Sequence, residues 1–298
     1  MIKKILVSII VNCFNGEEYL NESLTSVINQ TYKNWELIFW DNQSIDRSAQ
    51  IFKNFNHPNF NYFYAPHHTD LGEARQLAFK KTKGEWIGFL DCDDIWLPNK
   101  LQEQIHVINS YKGNLGLIYS KCELFREELN SANKIIRKKA IKPCNRNLPT
   151  LKIAEDLCKG NFIAFPSILY KKDAMIEAGN FSCYKHSPDY FLNLAISLNY
   201  DVLAVDKVLC RYRHHQSNLS ISINEIGMLE SQQIIKRLMP KSSFEKFSRA
   251  HKMRWFIKLF FNFKFLKAFK YITKINFLNI ILGLVDIFHY VIRYKTKI

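Results

Sequence analysis

The sequence predicts an α/β protein with a mostly parallel central sheet that is flanked by helices. Three observations lead to this prediction. Short apolar runs alternate with helical patterns through the first hundred residues, which is the rhythm of βαβ units. The runs are apolar throughout, as expected of strands that are buried on both faces. Polar clusters follow three of them, and parallel sheets bind ligands beyond the carboxyl ends of their strands.

The first predicted strand spans residues 5–11. Its apolar run is similar to that of a signal peptide. Ser8 interrupts the run, however, and no small-residue cleavage site follows, so we interpret the run as a buried strand. A helix comes next, and we expect Asn15 to cap it with Glu18 as the capping-box partner. The apolar stripe of this helix consists of Leu20, Leu24, Val27 and Ile28.

The next elements continue the alternation. Strands are predicted over residues 35–40, 61–64 and 85–90, and a helix over residues 72–83. The segment 123–150 is polar and basic and contains two prolines, which predicts an excursion or a mobile loop. We see no internal repeats and no low-complexity tract.

The positive charge of the chain is concentrated at its C-terminal end. Residues 241–298 contain thirteen Lys and Arg against two acids, a net charge of +11 out of +15 for the chain. Aromatic residues are interleaved with the basic ones, and polar residues interrupt the apolar run 275–292 on one side of a helix. This pattern favours an amphipathic helix at an anionic membrane surface. The alternative is a pair of helices that packs on protein.

Cysteine usage indicates a reducing compartment. The chain has seven scattered cysteines and no Cys-x-x-Cys pair. An odd number without paired spacing argues against a disulfide framework and against a zinc site. We therefore expect a cytoplasmic protein.

The strongest local signal is the run Asp91-Cys92-Asp93-Asp94 directly after an apolar strand. Bare carboxylates this close repel each other, so a cation is expected to compensate them. In an extended chain Asp91 and Asp93 point to the same side, where they suit Mg²⁺ or Mn²⁺ bridging a diphosphate. The alternative is that these residues cap the helix that follows Pro98.

Two further signals are weaker. Asp41 opens a cluster of turn-forming residues at the end of a strand, where it either accepts hydrogen bonds from a nucleobase or only shapes a turn. Arg75 either clamps a phosphate through its planar guanidinium or is a surface arginine.

Taken in order, these motifs resemble the inverting glycosyltransferase family 2, whose fold is called GT-A. The resemblance covers about residues 5–220. It is carried by residues 7–15 (VSIIVNCFN), 35–46, 91–96 (DCDDIW), 165–167 (FPS), 178–181 (AGNF), 188–190 (PDY) and 212–215 (YRHH). The chain departs from the family pattern at Pro188, where Glu is common, and at Asn12-Cys13, where Pro-Thr is frequent.

The resemblance implies a set of site residues. Asp41 would contact the base, Arg75 the phosphate side, Asp91 and Asp93 the ribose and a Mg²⁺ or Mn²⁺ ion, and Asp189 would be the catalytic base. The full set of residues that would bind the nucleotide-sugar donor is Val11, Asn12, Phe14, Asn15, Asp41, Arg75 and Asp91. The metal ion would be bound by Asp91, Asp93 and His215. On residues alone, Asp189 is equally a helix-start carboxylate and His215 a surface histidine.

The resemblance also implies an activity. A sugar would pass from a nucleotide-sugar donor, by default a UDP-sugar, to a glycan or lipid-linked acceptor with inversion, in cell-surface polysaccharide synthesis. Residues 1–222 would form the GT-A domain, with a nucleotide-sugar-binding half (1–100) and an acceptor half (101–222). Residues 223–298 would be a helical extension that places the protein peripherally at the inner face of the cytoplasmic membrane.

Two other classes of protein fit the sequence less well. A non-catalytic nucleotide-sugar-binding module is the alternative function, and Asp189 and His215 argue against it. A nucleic-acid-binding protein is not expected, because the charge lies in the tail and no nucleic-acid motif occurs. Oligomer formation is left open.

Overall fold

A computed structural model describes residues 4–129, 135–143, 148–181, 184–215, 218, 224–245 and 247–248. The strands are β1 (Val7–Cys13), β2 (Trp35–Asp41), β3 (Phe60–Tyr64), β4 (Trp86–Phe89), β5 (Ile95–Trp96), β6 (Leu115–Leu129), β7 (Ile135–Pro143), β8 (Leu169–Lys171) and β9 (Asp201–Arg213). The helices are α1 (Leu20–Ile28), α2 (Ser48–Asn54), α3 (Leu71–Phe79), α4 (Lys100–Ser110), α5 (Ala154–Cys158), α6 (Lys172–Ala178), α7 (Pro188–Asn199) and α8 (Asn224–Leu238).

One continuous sheet organises the molecule, in the strand order β3-β2-β1-β4-β8-β6-β9-β5 with β7 paired to β6. The first four of these strands are parallel, as the βαβ rhythm predicts. Every antiparallel strand pairing in the described part of the chain involves at least one strand that follows residue 94. The predicted α/β class with a helix-flanked central sheet is confirmed.

The parallel half is buried on both faces. All residues of β2 are buried, and β1 is buried except for Asn12. Ser8 is the polar exception inside β1, and its hydroxyl donates to Glu36 of β2 at 2.6 Å. That bond satisfies a polar group that would otherwise be costly to bury.

Residues 123–150 were predicted to be an excursion or a mobile loop, and the structure shows a β-hairpin in this segment. Much of it continues β6 and then returns as β7, which pairs antiparallel with β6 from Glu123↔Pro143 to Leu129↔Ile135. Strand pairing lets polar, basic residues form a hairpin, because backbone hydrogen bonds need no apolar side chains. Composition alone therefore suggested a loop where the two strands pair.

The predicted capping box at α1 is also wrong. Helix α1 begins at Leu20 with Tyr19 before it and no side-chain cap. Asn15 lies in the left-handed region with a φ of 53°, and its Oδ1 accepts from the backbone N–H of Ile45 at 2.9 Å. Asparagine tolerates this backbone conformation, so the residue forms a loop contact instead.

The described part of the C-terminal segment packs on the main core. Ile234 and Ile235 of α8 and Phe247 are buried in the same apolar cluster as Phe191 and Leu194 of α7. The division at residue 222 stays a prediction, and most of the predicted basic extension lies outside the described residues. Among the helices that the structure describes, none combines the length and the apolar character needed to cross a membrane.

Candidate active site

The predicted polar clusters meet at one edge of the sheet. β1 and β2 run in parallel register to Cys13↔Asp41, and Leu90 after β4 still donates to Ile10 of β1 at 3.0 Å. The carboxyl ends of three adjacent strands therefore lie side by side, as expected for a ligand site in a parallel sheet.

Asp41 faces inward. It is fully buried, and its carboxylate accepts from the backbone N–H of Ser44 at 2.8 Å and from the Tyr62 hydroxyl at 2.7 Å. These bonds hold the turn after β2 and tie it to β3, which supports the turn-shaping alternative. The predicted contact of Asp41 with a base stays a prediction.

The first loop presents part of the predicted donor set. Phe14 is 52% exposed, and its ring lies against His68 with 4.3 Å between ring centroids. Asn15 is held by contacts with the 41–46 turn on its backbone N–H and its side chain. The Asn12 Nδ2 is buried, and no acceptor in the described part of the chain hydrogen-bonds to it. Val11 is fully buried in the core, so its side chain does not line this edge.

Arg75 on α3 is not a surface arginine. It is 5% exposed, and its guanidinium donates to Asp91 Oδ1 at 3.1 Å. The guanidinium carbon lies 4.0 Å from the ring centroid of Phe165, which supports a cation–π contact. A buried, paired and stacked arginine holds a fixed orientation, so Arg75 fixes the position of Asp91.

Residues 91–94 do not form the extended chain that we predicted. The backbone N–H of Asp94 donates to the carbonyl of Asp91 at 3.1 Å, so the acidic run is a turn. The alternation argument for Asp91 and Asp93 was therefore wrong, because Asp residues favour turns and the chain bends directly after the strand end. Their charges nevertheless interact, because burial and the charge of Asp91 raise the pKa of Asp93.

His215 contacts the acidic turn directly. Its Nε2 lies 2.8 Å from Asp93 Oδ2, and Asn218 Nδ2 donates to the same oxygen at 3.2 Å. The imidazole also lies against the Tyr19 ring with 5.1 Å between centroids. The structure thus brings together Asp93 and His215, which are 122 residues apart in the chain.

Asp94 and Arg213 were missed as site residues. The Asp94 side chain is fully buried and accepts from the backbone N–H of Arg213 at 3.0 Å; burial raises its pKa well above the ordinary value. Arg213 is also buried, donating to the carbonyl of Asp93 at 2.8 Å and to Glu22 at 2.6 Å. The YRHH motif contained Arg213, whereas nothing in the sequence marked Glu22. These contacts fasten the acidic turn to β9.

Asp189 lies in the first turn of α7, immediately after Pro188. Burial raises its pKa, while the positive charge of nearby Arg75 opposes this rise and the negative charge of Asp91 adds to it. The Asn161 side chain donates to Asp189 Oδ2 at 3.4 Å. The helix-start interpretation therefore holds, and the same carboxylate is electrostatically coupled to Arg75 and Asp91.

The start of α7 is held by α8. The Glu230 carboxylate accepts the backbone N–H groups of Lys185, His186 and Ser187 at 3.1, 2.8 and 2.9 Å. The Ser187 hydroxyl donates to the carbonyl of Gly227 on the same helix. A carboxylate at a helix N-terminus is favoured by the helix dipole and satisfies free N–H groups. Sequence reasoning missed Glu230, because no motif contains it.

The side chains at the acidic turn can be compared with the ligands that the predicted metal site requires. Within the described part of the chain, no group of three or more His, Cys, Asp or Glu side chains is arranged to hold a metal ion. Asp91, Asp93 and His215 retain 34%, 26% and 19% side-chain exposure. Mg²⁺ and Mn²⁺ prefer oxygen ligands and are commonly held by one or two carboxylates together with phosphate oxygens of a bound ligand, so the carboxylates of Asp91 and Asp93 have the chemistry that such an ion needs.

An α/β fold with polar side chains gathered at the carboxyl edge of its parallel strands defines the class of protein, and the family comparison gives its activity. Residues 8–168 match the family described as glycosyl transferase family 2. The chain belongs to this family and is a glycosyltransferase, as the sequence motifs implied.

Two proteins with named activities are similar to this chain in sequence. The chain is 29% identical over 232 residues to the Escherichia coli UDP-Glc:alpha-D-GlcNAc-diphosphoundecaprenol beta-1,3-glucosyltransferase WfgD, covering 76% of this chain and 83% of that protein. A second Escherichia coli protein, the beta-1,3-glucosyltransferase WfaP, is 34% identical over 107 residues, 36% of this chain and 43% of that protein.

Solved structures share the fold. S. aureus TarS 1–349 in complex with UDP-GlcNAc aligns with a TM-score of 0.60 at 15% identity, covering 96% of this chain and 82% of that one. The mannosyltransferase PcManGT from Pyrobaculum calidifontis, in complex with GDP-Man and Mn²⁺, aligns at 0.53 with 13% identity, covering 94% and 73%. Identities this low support the GT-A-type fold alone.

Proposed function

We propose that this glycosyltransferase moves a sugar from a UDP-sugar to a lipid-linked glycan acceptor by a single inverting displacement. The observation that carries the proposal is the electrostatic group of Asp189, Arg75 and Asp91 at the carboxyl edge of the parallel strands. It combines a candidate base with a fixed cation and an acidic turn in one place.

Asp189 acts as the general base. Burial raises the pKa of this carboxyl and so makes it a stronger base than an ordinary aspartate, while the positive charge of Arg75 opposes that rise. It accepts the proton of the acceptor hydroxyl as that oxygen attacks the anomeric carbon. A single displacement inverts the configuration at that carbon.

The leaving nucleoside diphosphate departs towards the acidic turn. Asp91, Asp93 and His215 would hold a Mg²⁺ or Mn²⁺ ion, which when bound neutralises the charge that develops on the diphosphate. Arg75 keeps Asp91 in place through the ion pair of 3.1 Å. The exposed Phe14 ring offers an apolar face for the base at the same edge.

The donor and acceptor classes rest on the relatives. WfgD and WfaP are named for UDP-Glc and for an acceptor on diphosphoundecaprenol, a lipid carrier. A lipid-linked acceptor also suits the basic, aromatic-rich stretch of residues 241–298, which would dock the enzyme peripherally at the cytoplasmic face of a membrane.

A ligand screen followed by a turnover assay tests the proposal. UDP and UDP-sugars with Mn²⁺ should raise the melting temperature more than other nucleotides, since a ligand that binds only the folded state stabilises it. The full chain should then release UDP in the presence of a GlcNAc-diphospholipid acceptor. The non-catalytic module predicts the thermal shift without turnover. Absence of both nucleotide stabilisation and turnover would contradict the proposal.

A further inference from the structure

Two cysteines lie opposite each other across the candidate site. Cys13 ends β1, and Cys92 lies inside the acidic turn between Asp91 and Asp93. β1 and β4 pair in parallel register up to Ile10↔Phe89, and the turn that follows β4 brings Cys92 close to Cys13. Both are free thiols.

The side chains of this pair meet around one glycine. A Cβ atom placed on Gly16 would lie 3.1 Å from Cys13 Sγ and 3.3 Å from Cys92 Sγ. The side chain of each cysteine shifts the pKa of the other, so the two side chains interact. Cys92 Sγ also donates to the carbonyl of Asn12 on β1 at 3.2 Å, which holds it against the neighbouring strand.

The two side chains face each other closely enough for a disulfide. Both sulfur atoms lie within 3.3 Å of the same point beside Gly16, and a disulfide joins Cβ atoms that are about 3.5–4.5 Å apart. The bond therefore needs a side-chain rotation and a small movement of the turn, with no rearrangement of the sheet.

We propose that Cys13 and Cys92 are a thiol pair that closes a reversible disulfide and thereby switches off donor binding. The oxidant is a small disulfide such as glutathione disulfide. One thiol displaces glutathione to form a mixed disulfide, and the second thiol displaces the other glutathione, so two protein thiols lose two electrons and two protons while two glutathione thiols form.

The consequence follows from the position of Cys92. Forming the bond turns the Cys92 side chain towards Cys13 and breaks its hydrogen bond to the carbonyl of Asn12, and Asp91 and Asp93 are the direct neighbours of Cys92 in the turn. A turn displaced by even an ångström no longer presents its carboxylates to a metal-bound diphosphate. In a reducing compartment the thiols persist, and oxidative conditions would stop the enzyme. This effect on activity rests on the proposed function.

The test treats the full-length protein with glutathione disulfide and maps its cysteines. After remaining thiols are blocked with N-ethylmaleimide, digestion without reductant should yield a peptide that links Cys13 to Cys92. UDP affinity in the presence of Mn²⁺, measured by calorimetry, should fall at least tenfold and return after dithiothreitol. Prior binding of UDP and Mn²⁺ should slow formation of the linked peptide.

Variants separate this pair from general oxidation. Cys13→Ser and Cys92→Ser proteins should keep their UDP affinity after oxidation, whereas Cys158→Ser, a buried cysteine of α5, should behave as wild type. Absence of the linked peptide, or a linked protein with unchanged UDP affinity, would overturn the inference. A reduced protein that binds no nucleotide would instead contradict the proposed function, and peptide mapping would still decide whether the disulfide forms.

Discussion

Glu230 Oε2 accepts a hydrogen bond from the backbone N–H of Ser187 at 2.9 Å, which joins α8 to the N-cap residue of the helix that carries Asp189. The same carboxylate accepts two further N–H groups, from Lys185 and His186. The motifs that indicated the site in the sequence end at residue 215. Through this contact, helix α8, which lies beyond those motifs, helps to hold the candidate base in position.

Glu230→Ala should therefore lower both stability and turnover. Loss of an N-terminal cap costs about 0.5–2 kcal/mol, and a hydrogen bond to a charged group contributes about 1.5–3 kcal/mol. Thermal unfolding should show a lower melting temperature, and kcat should fall more than donor affinity because α7 carries Asp189. Glu245→Ala, at an exposed position in the same segment, is the control and should change little. Wild-type stability of Glu230→Ala would contradict the cap.

Asp189→Asn should keep the fold and the donor affinity but lose about 10²–10⁴-fold in kcat, the usual contribution of a general base. Asp206→Asn, on an exposed side chain of β9, is the matched control. Activity of the Asn variant within a factor of a few of wild type would point to another base.

The pH profile gives an independent test of Asp189. Burial raises its pKa, so the carboxylate takes up its proton at a higher pH than an ordinary aspartate, whose pKa is about 3.9. Only the ionised form accepts a proton, and kcat/KM should therefore fall as the pH decreases through this raised pKa. An acidic limb at or below the ordinary aspartate range would exclude Asp189 as the titrating base.

Activity should require Mg²⁺ or Mn²⁺, and Asp93→Ala should weaken Mn²⁺-dependent UDP binding at least tenfold. The reason is that Asp93 contacts His215 and Asn218 through one oxygen, so its loss also releases His215 from the acidic turn. Calorimetry of UDP binding with and without Mn²⁺ measures the effect. Asp173→Ala, an exposed residue of α6, is the control. Full wild-type turnover in EDTA would contradict the metal role.

Lys100 should make stability depend on pH. Its fully buried ammonium donates to Gln104 at 2.8 Å and lies 4.0 Å from the Trp96 ring centroid. Burial lowers its pKa from 10.5 to about 7. Between pH 7 and 10.5 the unfolded chain therefore binds this proton more tightly than the folded chain does. This difference lowers the free energy of unfolding by a few kcal/mol near pH 7, and the loss becomes smaller as the pH rises towards 10.5.

Urea unfolding of wild type and Lys100→Met at pH 7, 8.5 and 10 measures this effect. Relative to the variant, the wild-type free energy of unfolding should increase with pH, because the other titrating groups are common to both proteins. Lys81→Met, at an exposed lysine, should show no such trend. A difference between wild type and Lys100→Met that is independent of pH would show that Lys100 keeps its ordinary pKa in the fold.

The basic tail should bind anionic membranes. Phe247 is buried in the core, so a truncation that tests the tail alone should remove residues 249–298. The intact protein should float with anionic liposomes at low salt, and binding should weaken as salt rises because surface charges are screened. Liposomes of neutral lipid are the control. If the truncated, folded protein floats equally well, the tail does not dock the enzyme.

The sequence by itself determined the class of fold and the edge of the sheet where the site lies. Buried strands leave short continuous apolar runs, amphipathic helices leave periodic apolar patterns, and polar residues after a strand mark its carboxyl end. For that reason β1 to β4 and the clusters around Asp41 and Asp91 were predicted in place. The ordered motifs added the family, because each one corresponds to a local piece of backbone.

Only the tertiary structure decided how the site is held. The contacts of Arg75 with Phe165, of Arg213 with Glu22 and of Glu230 with Ser187 join residues that are far apart in the chain. No local periodicity records such pairs, because each partner is chosen by the packing of separate elements. The turn at Asp91–Asp94 and the hairpin of β6 and β7 were misjudged for the same reason: backbone hydrogen bonds formed in the folded chain outweighed what local composition favoured.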